Sequence, residues 1–399
     1  MTSFQTAAAV LGGLLVAGAL LSGLARRSLL SLAAVFVLAG FVLGQGATGV
    51  LDFRAGSGFV ADLATVALIV ILFRDGLEVD AELLQRHWRL PLRKLAIGMP
   101  VTAVIVAVLA RLLVGLDWTE SFLLGALLSP TDPVLSSGVV TDSRVPQTIR
   151  QSLNLESGLN DGLALPAVLA FAAALEAGRH GFVWWHFVLE DVGLGLAYGL
   201  VCGWIGSVLM PRAAEQGGAP GIPGHQRALY GLGLAFATYG LTAIPPHGNG
   251  FIAVFVAAIV TGIRRPDLRN CFAERGEELV EIVKLGIFAV FGSLLTVRGL
   301  FGDGWAAVGV VAGTFAVARP VAIWLALAGS RVSSAAKGFI AWFGPKGVAT
   351  MAFSLLVLSR HIEAGSRIFN IAALAVFCSI VLHGLSERRG VQWISKHDL

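Results

Sequence analysis

Charged side chains are scarce in this chain. Asp, Glu, Lys and Arg make up 14% of its 399 residues, against roughly 25% in a soluble domain. That shortage excludes an ordinary water-soluble globule. The 56% hydrophobic content and a mean hydropathy of +0.79 point instead to a polytopic membrane protein. Cysteine is nearly missing. Cys202, Cys271 and Cys378 share no metal-ligand spacing and cannot all pair, so they read as ordinary membrane or loop thiols. No zinc pattern, Walker loop, GxGxxG fingerprint or GxSxG elbow occurs. ATP-driven transport and intramembrane hydrolysis therefore lack their residues. No cofactor or nucleotide-binding domain is expected, and the net charge of +4 requires no nucleic acid. Glycine is plentiful, at 49 residues, without a G-X-Y period. In apolar spans it lets helices approach closely.

Apolar stretches of spanning length fall at about 5–24, 28–46, 58–78, 90–114, 118–137, 150–176, 183–210, 227–244, 249–263, 276–298, 303–328, 334–358 and 366–386. The expected fold is all-α and polytopic, with about thirteen transmembrane helices. The first stretch lacks a basic n-region and is followed at once by a second, which argues against a cleaved signal. With the N-terminus outside, nineteen Lys and Arg fall on the cytoplasmic side, Arg93, Lys94, Arg150 and Arg331 among them, and six outside. That bias sets N-out, C-in. The 211–226 segment, rich in Gly and Pro, reads as a flexible connector. The seventh span carries Gly195, Gly199 and Gly203 at four-residue spacing, a packing ladder for use within or between subunits. The tail after Leu385, about fourteen residues, is expected to hold no regulatory domain.

Two spans are interrupted. The fifth contains Ser129-Pro130-Thr131-Asp132-Pro133, where two prolines remove helix donors. The twelfth contains Phe343-Gly344-Pro345-Lys346-Gly347. With the seventh span as linker, these are the fifth spans of two halves, the pattern of inverted repeats whose broken helices frame a transport site. Irregular backbone at that depth is tolerated only when buried or lining a cavity.

The sixth span holds the third cluster, Asn154 to Leu163, with Glu156, Ser157, Asn160 and Asp161. Ionised groups at membrane depth survive when they line a cavity, pair, or handle ions. Glu156 and Asn160, four apart, share a helix face; Asp161 lies roughly 140° round from Glu156 and need not share its partner. Asp161 and Asp132 are candidate carboxylates for a cation when ionised and a proton when not. A helix–helix contact for Asp161, and a cap on the broken helix for Asp132, are the plainer readings. Thr131 and Ser157 offer oxygen ligands or ordinary intrahelical bonds. Asn160 either bridges to the broken span, the favoured reading, or glues helices. Arg319, mid-span, stays charged and needs a partner, for which Glu156 is the natural choice. Lys346 reads as a helix-end group offsetting a dipole, or as architecture. Lys284 and Glu281 are placed to snorkel from the tenth span. Asp62, Arg74, Asp75, Glu78 and Asp80 read as cavity-rim or interface charges around the third span.

Over nearly all thirteen spans the chain resembles the monovalent cation:proton antiporter-1 family, of NhaP/NHE type. The resemblance rests on Phe73 to Glu78 (Phe-Arg-Asp-Gly-Leu-Glu), Ser129 to Val134, Glu156 to Gly162, Ala318 to Val321, Gly344 to Ala349 and Ser379 to Ser386. It implies Asp161 as the essential ion and proton carboxylate, with Asp132 beside it. Thr131 and Ser157 are coordinating positions, and Glu156 and Arg319 a buried pair. It also implies a mobile core of about 90–176 and 303–386, a dimerising scaffold of about 5–78 and 183–298, and elevator-like motion. The Asn160-Asp161 pair resembles the electroneutral branch, where electrogenic cousins carry two aspartates. The expected partners are Na⁺ or K⁺, with Li⁺ as a further option, H⁺, membrane lipid and a second copy of the chain, in a prokaryotic inner membrane. A same-fold carrier of another solute, or a cation channel, is the alternative.

Overall fold

The computed structural model describes residues 32–54, 56–79, 89–132, 137–178, 181–211, 223–360 and 362–397, with isolated positions 9, 12, 13 and 16. Among these, every regular element is a helix. The expected first span, 5–24, and much of the 211–226 connector lie outside the described residues. Each later stretch contains helix. In chain order these are α1 (Leu32–Leu43), α2 (Gly58–Leu77), α3 (Leu90–Val114), α4 (Trp118–Leu128), α5 (Ser137–Thr141), α6 (Gln147–Glu176), α7 (Trp184–Leu209), α8 (Gly224–Leu241), α9 (Gly250–Arg264), α10 (Pro266–Arg275), α11 (Glu277–Ser293), α12 (Gly304–Ala326), α13 (Ser334–Trp342), α14 (Val348–Ser359) and α15 (Gly365–His397). Five of the described helices, α3, α6, α7, α12 and α15, are by themselves long and apolar enough to cross a membrane.

Local signals in the sequence set several boundaries. Asp117 opens α4 with a capping box: its backbone amide donates to Glu120 Oε2 at 2.8 Å, and its side chain receives an amide in return. Asn249 starts α9 by accepting the amides of Phe251 and Ile252, and Ser333 caps α13 by accepting that of Ala336. Inside α3 and α12 a proline interrupts the ladder of hydrogen bonds, and the helix widens just upstream. The π-helical turns Lys94–Gly98 and Thr314–Ala318 end two residues before Pro100 and Pro320 respectively. A proline cannot donate to the carbonyl four residues back, and a wider turn accommodates the lost bond. Lys94–Gly98 packs against the Arg319–Ala326 segment of α12.

The glycine ladder of α7 works inside the subunit, against α9. A Cβ on Gly199 would strike Ala253 O and Val256, and one on Gly203 would strike Ala257 and Val260. A second close crossing joins α1 to α11, where Gly40 and Gly292 each lie against the backbone of the facing helix. The residues between α9 and α11 form α10, whose leading Arg265 reaches back to the carbonyls of Ser207, Met210 and Pro211 and closes the C-terminus of α7. The final helix continues past the expected end near 386. Its extension buries Val391 and Ile394 against Phe339 and Phe343 in a small apolar cluster separate from the main core.

Overpacking a glycine crossing costs about 1–3 kcal/mol. Gly199→Val should therefore lower the melting temperature of the purified protein. Gly233→Ala, at an exposed position on α8 with open space around it, should not lower it. Equal melting temperatures for both variants would contradict the intramolecular ladder.

Candidate cation and proton site

The two interrupted regions meet and complete one another. Helix α4 ends at Leu128 and leaves the carbonyls of Ser129 and Pro130 without helical partners. The Lys346 ammonium, fully buried, donates to both, at 3.5 and 3.1 Å. A cation at a helix C-terminus offsets the dipole and the orphaned carbonyls together. In the other direction, the amide of Val348, first residue of α14, donates to Asp132 Oδ2 at 3.0 Å, and Asp132 N donates to Pro345 O at 2.8 Å. Asp132 thus caps the helix of the opposite half, not its own. Thr350 Oγ1 donates to Leu127 O at 3.1 Å. The approach is close enough that a Cβ on Gly347 would collide with the Asp132 carboxylate and one on Gly344 with the Arg319 guanidinium. Pro133 lies outside the described residues.

Helix α6 runs past this crossing and presents different chemistry on its two sides. Glu156 is buried between two cations. Arg319 Nη1 donates to its Oε1 at 3.0 Å, and Lys94 Nζ donates to its Oε2 at 2.7 Å. Lys94, counted among the cytoplasmic charges by sequence position, is instead 2% exposed and points inward from the wide turn of α3. It also donates to Ser152 O at 2.8 Å. Asn160 faces the same way. Its Nδ2 donates to Thr131 O at 2.6 Å and to Thr131 Oγ1 at 3.2 Å. Thr131 Oγ1 in turn donates to Glu156 Oε1 at 3.3 Å. Both Thr131 oxygens therefore serve this lattice, and each retains lone-pair capacity. A cavity of about 10 Å³, near the size of one water, sits among Lys94, Glu156, Asn160 and Arg319.

Asp161 is 6% exposed, and its Oδ1 has no hydrogen-bond partner. The carboxylates that act on it electrostatically are Asp75 of α2 and Asp132 of the broken region, opposed by Lys284 and Arg74. Its side of α6 adjoins α2 and α9: Gly158 lies over the Asp75 carbonyl, and Gly162 under the Phe255 ring. The side chain of Ser157 lies outside the described residues. Asp75, read as a rim charge, is 4% exposed and pairs with Arg74 at 3.0 Å. Arg74 also meets Glu78 at 3.0 Å and Glu277 at 3.2 Å. Lys284, expected to snorkel, is buried and reaches Glu277 at 3.7 Å.

Sequence reasoning missed Lys94 and Asp75. A signal existed for Lys94: it precedes Pro100 by six residues, as Thr314 precedes Pro320. Asp75 had its own signal, since it comes directly after the unbroken apolar run Val66 to Phe73 and Arg74.

The transmembrane sodium/hydrogen exchanger profile matches residues 13–393. The chain belongs to this family. Its fold is that of a multi-pass, all-α membrane protein. It is 25% identical over 383 residues to the K(+)/H(+) antiporter NhaP2 of Shewanella oneidensis, covering 94% of this chain and 65% of that protein. It is 24% identical over 381 residues to the K(+)/H(+) antiporter NhaP of Alkalimonas amylolytica, covering 90% and 62%. The chain thus spans somewhat less than two thirds of the length of these relatives. Among solved structures, the sodium proton antiporter MjNhaP1 of Methanocaldococcus jannaschii superposes with a TM-score of 0.80 at 19% identity, covering 98% of each chain.

Removing one partner of a buried ion pair costs about 3–5 kcal/mol. Glu156→Gln leaves two buried cations on a neutral amide, so it should lower the melting temperature of the purified protein sharply. Adding Lys94→Met should recover part of the loss. Strictly additive losses would show that Lys94 and Glu156 do not act as a pair.

Proposed function

We propose that this exchanger moves one monovalent cation, Na⁺ or K⁺, against one proton, with Asp161 as the group for which the two compete. The observation that carries the reading is the buried Asp161 carboxylate, with its unpartnered Oδ1, set between the helix crossing and the acidic group on α2. A carboxylate in low dielectric needs a positive partner, and either a metal ion or a proton supplies one. The other buried charges of the core already have fixed partners. Glu156 has Arg319 and Lys94, and Lys346 has the carbonyls of α4. In this reading Asp132 supports Asp161 while holding α14, Thr131 and Ser157 offer oxygens to the cation, and Glu156 with Arg319 is structural.

Charge counting supports a one-for-one exchange. Lys94, Arg319 and Lys346 balance Glu156, Asp132 and Asp161 when all six are ionised. Either a proton or a monovalent cation then adds one positive charge to a neutral core, so both loaded forms cross with the same charge. Asn160 adds no titrating group beside Asp161.

The arrangement in the membrane follows the same reading. Thirteen spans form two inverted six-span repeats joined by the seventh, with the fifth and twelfth broken at Ser129–Asp132 and Phe343–Gly347. The segments 90–176 and 303–386 form the transport core, and 5–78 with 183–298 form the scaffold of a homodimer. The N-terminus lies outside and the C-terminus in the cytoplasm of a prokaryotic inner membrane. Moving Lys94 from the cytoplasmic set to the interior leaves the charge bias intact. The names of the relatives support both ions: the two sequence relatives described above are called K⁺/H⁺ antiporters, and the structural neighbour a sodium proton antiporter.

Reconstituted in vesicles with a pH-sensitive dye, the protein should dissipate a pH gradient on addition of Na⁺ or K⁺. Asp161→Asn should abolish that response while the protein still purifies as a folded species, and full-rate exchange by the variant would remove Asp161 from the mechanism. The rate should also be indifferent to an imposed membrane potential. A steep dependence on voltage would overturn the one-for-one stoichiometry.

A further inference from the structure

At one end of the fold a cavity of about 740 Å³ opens among the starts of α3, α6 and α13 and the loop that follows α12. Its polar wall carries the Arg93 and Arg331 guanidiniums together with Ser152 and Ser330, and Leu90, Ile149 and Ile340 form an apolar floor. No Asp or Glu is among its described lining residues. Arg93 donates to Ala328 O at 2.6 Å, and neither arginine meets a carboxylate among the described residues. The N-terminal turn of α13 borders the same space through Ser333 and Ala336. Ser152 supplies a second, independent sign of a ligand. It is 5% exposed, and its Oγ, able to donate and accept, has no partner.

Two guanidiniums, a helix N-terminus and an unsatisfied hydroxyl around one space form a site for an anion with several acceptor oxygens. A cation finds no carboxylate there. We propose that the cavity binds a phosphate group, presented in the membrane by an anionic phospholipid. The apolar floor suits the acyl end of such a molecule. The orientation proposed above also places the cavity at the cytoplasmic leaflet, where anionic lipids gather basic residues. The ligand would adjoin the buried ion pair from both sides. Ser152 lies one turn before Glu156 on α6 and accepts from Lys94, and Ile340 O accepts from Arg319. An occupant therefore holds α3, α6 and α13 together around Glu156.

The test uses the purified full chain in neutral detergent, titrated with dioctanoyl phosphatidylglycerol, dioctanoyl phosphatidylcholine or inorganic phosphate while the melting temperature is followed. Phosphatidylglycerol should raise the melting temperature and phosphatidylcholine should not. Arg331→Gln removes an exposed side chain with no partner among the described residues, so the variant should fold. It should bind the lipid about tenfold more weakly, the loss expected for one charge-assisted hydrogen bond. Ser152→Ala should weaken binding in the same direction. A rise with inorganic phosphate alone, equally dependent on Arg331, would keep the phosphate site and assign it to a soluble ligand. No rise with either compound, or a rise untouched by both substitutions, overturns the proposal.

Discussion

Helix ends inside a membrane protein have no water to complete their hydrogen bonds, and here two such ends complete each other. The carbonyl end of α4 takes the ammonium of Lys346, which comes from the second break. The amide end of α14 takes the carboxylate of Asp132, which comes from the first. Each interruption thus carries the charge that the other's helix terminus requires. A broken helix alone would leave several buried groups unsatisfied, at several kcal/mol each. Crossed, the two breaks form a polar unit whose parts hold one another in place. The small residues at the crossing follow from this closeness, since side chains at Gly344 and Gly347 would occupy the space of Arg319 and Asp132.

Around that unit, α6 separates a carboxylate held by two cations from one whose Oδ1 has no hydrogen-bond partner. Toward the crossing it presents Glu156 and Asn160; although the Asn160 Oδ1 has no partner, the Glu156 carboxylate and the Asn160 amide nitrogen are engaged. Toward α2 and α9 it presents Asp161, whose oxygen is not. One helix turn suffices, because successive residues rotate by about 100°. The two cations on Glu156 arrive from α3 and α12, each beside a widened turn that its own proline imposes. Two helices from opposite halves of the chain are thereby fastened to the same carboxylate.

Much of this was legible in the chain itself. Prolines flanking Thr131 and following Gly344 cannot sit in an intact ladder, so the breaks could be read directly. An arginine in the middle of an apolar span demands an acid, and Glu156 was the suitable one. The remainder was hidden for physical reasons. Lys94 follows Arg93 at the start of a helix, where basic residues usually face water. Its inward direction depends on a turn geometry that residue type alone does not specify. Asp75 stands beside Arg74, and adjacent opposite charges read as a surface pair. The packing of α2 among its neighbouring helices buries it. The amphipathic α10 and the extension of α15 have too few apolar residues to stand out as spans, and they are helical because Leu268, Phe272, Val391 and Ile394 find neighbours to cover them.

The bond from Asn160 to Thr131 bears on how stoichiometry can change in such a fold. The amide nitrogen gives two hydrogens to the broken segment, one to the carbonyl and one to the hydroxyl. A carboxylate in its place could give none until it took up a proton. An aspartate at this position would therefore not simply add a charge beside Asp161. It would make the tie between α6 and the first break conditional on protonation, so that titration and mechanical cohesion became one event.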